Sequence, residues 1–370
     1  MERARVRRRR LALGTLAAAV IGAFGLGAVL GEEPAPAQLD VAEMLPLRQL
    51  AGERVLAGLS GTEVSPKLHA AIHRGALAGI VLFSENFPSR AAGRRLIARL
   101  QAIRRPPALR DPLLIMVDQE GGQVVRVGSA PSAAEMGARG AAFSRERGRL
   151  TARNLRDLGV NVDLAPVLDV ARPGGTIAET ERGFGATAAK VNETAIPFAR
   201  ALQRGGIAAT AKHFPGLGAA AENTDVAVEQ IDVSKPKLRA LDEAPFRAFA
   251  GIGGKIVMLS TAIYPALSPN PAAFSRAIAS GELRSRLGFG GVSITDALET
   301  VAVQAYGGPA KAGVAAARAG TDLLLFTDLT GAEAAGRALV AELRAGALRR
   351  REFEDSAQRV LDLRASLAGS

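Results

Sequence analysis

Ile207-Ala208-Ala209-Thr210-Ala211-Lys212-His213-Phe214-Pro215-Gly216 is an apolar run that ends in two basic side chains and a Pro-Gly turn. Its wholly apolar start suits a strand buried on both faces, as in parallel sheets. The Pro-Gly pair stops the strand and leaves a backbone shaped for close approach. Lys212 and His213, side by side at that end, offer two hydrogen-bond donors to a polar ligand.

Outward from this stretch the same pattern recurs. Short apolar runs lie at 54–59, 79–83, 113–117, 160–165, 207–211, 255–259, 291–295 and 321–326. After each comes a polar or Gly-rich turn and then an amphipathic stretch, the signature of parallel strands joined by helices. Helices are predicted at 89–104 (Leu96, Ile97, Leu100), 144–158 (Leu150, Leu155) and 351–367 (Phe353, Val360, Leu361, Leu367). Eight units predict an α/β fold, a single-domain (β/α)8 TIM barrel. An open doubly wound sheet is the rival, but it seldom places chemistry after nearly every strand. Here the runs are followed by Ser84-Glu85, Asp118-Gln119-Glu120, Asp169, Lys212-His213, Ser260-Thr261, Asp296 and Thr327-Asp328. Each alone suits a helix cap. Together, at the carboxyl ends of barrel strands, they predict an active centre.

Composition narrows the classes. Hydrophobic residues make up 48% of the 370, enough for one large core, while Trp is absent and cannot stack on a sugar. The net charge is +11, to which the six Arg and three Glu of residues 1–37 contribute +3. The remaining excess is Arg scattered along helices without interleaved aromatics. That pattern argues against a nucleic-acid surface and leaves only loose attraction to an anionic envelope or polymer. With no Cys there is no disulfide, thiol nucleophile or thiolate metal site. His69 and His73, four apart on a predicted helix, lack a third ligand nearby and read as a solvated face, so no metal is expected.

The N-terminus reads as a targeting segment. Arg3, Arg5 and Arg7 to Arg10 precede an unbroken apolar stretch from Leu11 to Leu30. Its twenty residues match the ~20 that span a bilayer, with the basic flank cytoplasmic. Ala35-Pro36-Ala37 has the form of a signal-peptidase site. An uncleaved anchor is ranked ahead of a cleaved signal, and the paired arginines also admit twin-arginine export. The division is then 1–30 basic region and anchor or signal, 31–45 linker, and 46–370 barrel, with the bulk extracytoplasmic.

Five segments carry a resemblance. Ala211-Lys212-His213-Phe214-Pro215-Gly216-Leu217-Gly218 is similar to the KHFPG signature of glycoside hydrolase family 3, in its single-barrel β-N-acetylhexosaminidase branch. Asp118-Gln119-Glu120-Gly121-Gly122-Gln123-Val124-Val125-Arg126 is similar to the family's DQEGG-x-V-x-R element. Leu164 to Val170 and Glu181-Arg182-Gly183-Phe184-Gly185 follow in the family's order. Gly290 to Leu298, with Asp296, resembles its nucleophile strand. The resemblance spans residues 45–365. It implies that Lys212, His213, Asp118 and Arg182 bind sugar hydroxyls, with Arg126 holding the same sugar or bracing Asp118. It also implies that Asp296 attacks the anomeric carbon to form a glycosyl-enzyme. No cofactor is implied, and a monomer is expected.

The departures concern the acid. Where the acetylhexosaminidase branch carries Asp-x-His after KHFPG, this chain has Asn223-Thr224-Asp225, and Leu217, Ala219 and Thr261 replace other family polar residues. The three His of the chain are His69, His73 and His213, so no His is free to donate the proton. Three outcomes stay open: Asp225 is the general acid, with its pKa raised by burial or by Asp296; Glu222 takes the role; or the protein binds sugar and turns it over poorly. The resulting expectation is a retaining glycosidase removing terminal β-linked N-acetylhexosamine, most naturally N-acetylglucosamine from peptidoglycan-derived glycans. The alternatives are an envelope-anchored glycan-binding protein of the same fold and a β-glucosidase.

Overall fold

The computed structural model describes residues 40–369. Eight parallel strands form its centre: β1 Val55–Leu59, β2 Gly79–Leu82, β3 Leu114–Val117, β4 Val162–Asp163, β5 Ala208–Phe214, β6 Ile256–Leu259, β7 Val292–Thr295 and β8 Leu324–Phe326. They pair in chain order, and β8 returns to β1 through Val55↔Leu324, Leu56↔Leu325 and Ala57↔Phe326. The ring closes between β7 and β8 at the bridge Ile294↔Leu323. There the Thr295 N–H donates to Leu323 O (3.0 Å) and the Leu323 N–H to Ser293 O (2.9 Å). The fold is a (β/α)8 barrel.

All eight apolar runs supply strands, with changes at their ends. The run at 160–165 shortens to β4, because Pro166 has no N–H to continue the ladder, and pairing resumes as the isolated bridge Val167↔Lys212. The run at 207–211 lengthens through Lys212 and His213 to Phe214. The predicted helices occur as Arg90–Gln101, Ala141–Arg156 and Arg350–Leu367. Ser89 caps the first, its Oγ accepting from the Ala92 N–H at 3.1 Å.

Strand alternation sorts the apolar residues into two layers. Val55, Ala57, Ile80, Leu82, Ile115, Val117, Val257, Leu259, Leu324 and Phe326 face the surrounding helices. Leu56, Val81, Leu114, Met116, Val162, Leu164, Ile256, Met258, Val292, Ile294, Leu323 and Leu325 fill the barrel interior. Each such side chain contributes roughly 1.5–3 kcal/mol on burial. At the end where the strands begin, Val360 and Leu363 of the C-terminal helix join the interior cluster and close the floor. Arg364 is fully buried there, paired with Glu53 and donating to Pro112 O (3.1 Å) and Leu109 O (2.9 Å).

The folded part begins earlier than the linker expected over 31–45. Val41–Met44 is helical, Ala42 and Leu45 are buried, and the Ala42 N–H donates to Gln358 Oε1 of the C-terminal helix at 3.1 Å. The reason is apolar: Val41, Ala42 and Leu45 have a core to join. The anchor or signal of residues 1–30, and the rest of the linker, lie outside the described residues. Among the described residues no helix is long and apolar enough to cross a membrane.

Candidate active site

One pleat above the interior layer, the same alternation turns chemistry inward. From Met116 the next inward position on β3 is Asp118, from Ile294 on β7 it is Asp296, and from Leu325 on β8 it is Thr327. These three, together with Arg126, Arg182, Lys212, His213 and Asp225, line a cavity of about 450 Å³ at the strands' carboxyl ends. Val81, Leu164, Met258 and Leu325 make its apolar floor. All seven residues picked out from sequence therefore share one pocket.

A web of charge holds its base. Lys212 Nζ lies 2.8 Å from Asp118 Oδ1 and 2.6 Å from Glu120 Oε1. Arg182 grips Glu120 with both ends of its fork, at 2.8 and 2.9 Å, and Arg126 reaches Asp118 at 3.3 Å. Burial alone would raise Glu120, but Lys212 and Arg182 outweigh it and hold the carboxyl below the usual range. The ammonium of Lys212, disfavoured by burial, is held above its ordinary value by Asp118 and Glu120. Glu120 and Lys212 therefore stay ionised across the neutral range, and the web forms a fixed array of donors and acceptors.

Two adjacent residues of a flat strand face opposite ways, yet Lys212 and His213 both line the cavity. The pairing of β5 with β6 slips register between Ala211 and Phe214, which brings the second side chain round. His213 is then fixed by Asp169, whose carboxylate accepts from its Nδ1 at 2.7 Å and from the backbone N–H groups of His213 (3.1 Å) and Leu217 (2.7 Å). With Nδ1 so engaged, Nε2 is the nitrogen left for a ligand. Behind this turn the Tyr264 hydroxyl donates to Gly216 O at 3.1 Å, and Arg172 holds Asp242 with two 2.8 Å bonds.

The loop that returns Arg126 to Asp118 is stapled by Gln119. Its Oε1 accepts from the backbone N–H of Arg126 and of Val127, both at 3.1 Å, and its Nε2 donates to Val127 O at 2.9 Å. Gly121 makes the bend with φ +103°, where a Cβ would lie 2.0 Å from Pro131 O. No side chain fits there.

Asp296 opens onto the cavity, with its Oδ1 accepting from the Ala297 N–H at 2.8 Å. Its pKa is raised, first by burial and then by the charge of Asp225, while His213 works the other way. Asp225 sits across the cavity on the loop after β5. It is exposed and bonded to Asn223 through the side chain (3.1 Å) and backbone N–H (3.0 Å). Of the two influences that could raise it, burial is absent, because this loop lies on the rim and not in the barrel. Glu222 is exposed and not among the lining residues.

Three site residues had no role in the sequence reading. Glu120 was legible, since it shares Asp118's parity two positions on. Asp169 follows an irregular segment beyond Pro166, where no period assigns a direction. Glu299, three residues after Asp296, also lines the cavity. Burial pushes its carboxyl up to about 7, with Oε2 accepting from the Thr327 N–H at 3.1 Å and Oε1 buried without a partner among the described residues. Some strand-end candidates are structural instead: Asp328 caps the helix Leu329–Arg344, and Glu85 accepts from the Gly61 N–H at 2.8 Å. His73 spends its Nδ1 on Arg104 O at 2.7 Å, and no cluster suited to a metal occurs among the described residues.

Comparison with known proteins converges on one family. The model of the glycosyl hydrolase family 3 N-terminal domain matches residues 37–363. A protein of Arthroderma benhamiae described as an uncharacterized secreted glycosyl hydrolase is 37% identical over 330 residues, covering 86% of this chain and 93% of its own. A β-hexosaminidase of Xanthomonas oryzae pv. oryzae is 36% identical over 282 residues, or 73% of this chain and 82% of that one. Among solved structures, a glycoside hydrolase family 3 β-N-acetylglucosaminidase from Paenibacillus sp. str. FPU-7 superposes with a TM-score of 0.84 at 34% identity. That alignment covers 88% of this chain, which spans 63% of the Paenibacillus protein.

Proposed function

The chain belongs to glycosyl hydrolase family 3, and on that premise we propose that it is a retaining β-N-acetylhexosaminidase in which Asp296 is the nucleophile and Asp225 the acid/base. The observation that carries this reading is the convergence of both carboxylates with Lys212, His213, Asp118 and Arg182 on one cavity. The β-hexosaminidase and β-N-acetylglucosaminidase relatives supply the substrate class. N-acetylglucosamine from peptidoglycan-derived glycans is the specific sugar we assign.

In this mechanism Asp118, Lys212, His213 Nε2, Arg126 and Arg182 hold the hydroxyls of the terminal sugar. Asp225, protonated, gives its proton to the glycosidic oxygen as Asp296 attacks the anomeric carbon, so the aglycone leaves as an alcohol and a glycosyl ester forms. Asp225, now a carboxylate, takes a proton from water. The resulting attack frees Asp296 and releases the sugar with its β configuration kept. Release of nitrophenol from its N-acetyl-β-glucosaminide tests the assignment, with Asp296→Ala as control. Equal rates from the two proteins would sink it, and a faster β-glucoside would replace the sugar.

A second reading keeps the fold and binding but not efficient turnover. It is favoured by the exposure of Asp225 on the rim loop, where nothing buries the proposed acid. Saccharide binding by calorimetry without product release selects it. For location we infer an extracytoplasmic protein held by its N-terminal apolar segment, a reading supported by the secreted relative and the run Leu11 to Leu30. Release of the protein from membranes by salt alone would overturn the anchor.

A further inference from the structure

We propose that the groove between the helices Ala141–Arg156 and Ala188–Arg204 binds a linear phosphodiester polymer built on polyols or sugars. The groove measures about 540 Å³ and is lined by Arg145, Arg149, Arg153, Arg156, Arg200 and Arg204, with Ile196 and Pro197 among its apolar residues. No carboxylate lines it. All six guanidinium side chains belong to exposed residues. Arg149 pairs with Glu146 at 2.9 Å and Arg156 donates to Gly205 O at 3.1 Å. Among the described residues the other four have neither an ion pair nor a side-chain hydrogen bond. The glycosidase chemistry uses none of them.

A structural helix gains nothing from this pattern. Like charges four apart on a helix repel and destabilise it, and Arg145, Arg149 and Arg153 stack that way on one face. The repulsion is relieved by a counter-charge, and guanidinium matches phosphate in a bidentate fork. Four helical residues rise about 6 Å, the order of separation between charges on an extended chain with one phosphodiester per polyol. The groove has no aromatic lining, so it offers no stacking platform for nucleobases. Both helices start beside the strands' carboxyl ends and finish at the opposite rim. A polymer in the groove therefore lies along the barrel wall, with Arg145 nearest the cavity mouth.

The test is fluorescence anisotropy of the 370-residue chain with labelled poly(glycerol phosphate), titrated between about 50 and 200 mM salt. The triple variant Arg145→Gln/Arg149→Gln/Arg153→Gln is compared with Arg94→Gln/Arg95→Gln/Arg104→Gln, which removes equal charge from another exposed helix and its flank. The groove triple is expected to weaken binding at least ~30-fold and to flatten the log–log salt dependence by about 2, at roughly 0.7 per lost contact. The control triple should change binding less than about threefold, and both should keep hydrolysis of the nitrophenyl glycoside. Equal losses in the two triples, or no binding by the parent chain, would overturn the proposal. So would a groove-dependent preference for phosphatidylglycerol vesicles, which moves this face to lipid, or for single-stranded DNA.

Discussion

Lys212 touches two carboxylates and Glu120 touches two cations, so at the residue scale no charge in the pocket base can be removed alone. Glu120→Gln removes the buried carboxylate shared by Lys212 and the half-buried Arg182, and breaking such a pair costs about 3 kcal/mol. Because Glu120 is depressed in the folded state, its contribution is full above the unfolded value near 4.3 and is lost as pH falls further toward the folded one. Urea denaturation at stepped pH should show this acid loss in the parent and not in Glu120→Gln. Glu299 has the opposite sign: raised to about 7, it costs stability as pH rises from the unfolded value toward 7. Glu299→Gln should therefore match the parent below about pH 4 and exceed it at neutrality. Asp296 attacks only as the anion, and its raised pKa places the acid limb of kcat/KM above about 3.9. Asp225→Asn mimics the protonated Asp225 that the mechanism requires, so that limb should stay in place, measured with a dinitrophenyl glycoside that needs no acid. On a poor leaving group the same variant should lose about 10²–10⁴-fold; equal losses on both substrates would take the proton donor away from Asp225.

The elements that carry these residues were legible wherever a period governs. Alternation along β3, β7 and β8 names Asp118, Asp296 and Thr327 as inward, and extends to Glu120. It misassigns His213, since strict alternation would turn it outward and a slip in pairing, invisible in composition, brings it in. The loop of Asp225 has no period at all, which is why its exposure had to be seen. Loop geometry makes its own prediction at Gly121. Alanine there meets both a left-handed φ and Pro131 O, so the loop must shift and Arg126 with it. Gly121→Ala should raise KM several-fold with a smaller effect on kcat and lower stability by more than about 1 kcal/mol. An unchanged KM would show that Arg126 does not position the sugar.

Across the whole molecule the barrel separates stability from chemistry, with a charged floor beneath and a charged mouth above. Asp322, fully buried at the floor, is depressed because Arg284 and Arg359 together outweigh its burial. Arg364→Met leaves Glu53, already raised by burial, with no cation in its place, and should cost about 3–5 kcal/mol. Thermal denaturation should register that loss while KM for the folded enzyme stays put. The eight strands were readable because each is a solid apolar run; the helix Val41–Met44 was not, since a single short turn next to prolines leaves too few residues to show a period. That turn rests on the helix that seals the floor, so the chain enters and leaves the fold at the face opposite the catalytic opening. Coupling the enzyme to a bead, a chip or a carrier domain through either of those points would leave the opening turned outward and free to meet large insoluble glycans.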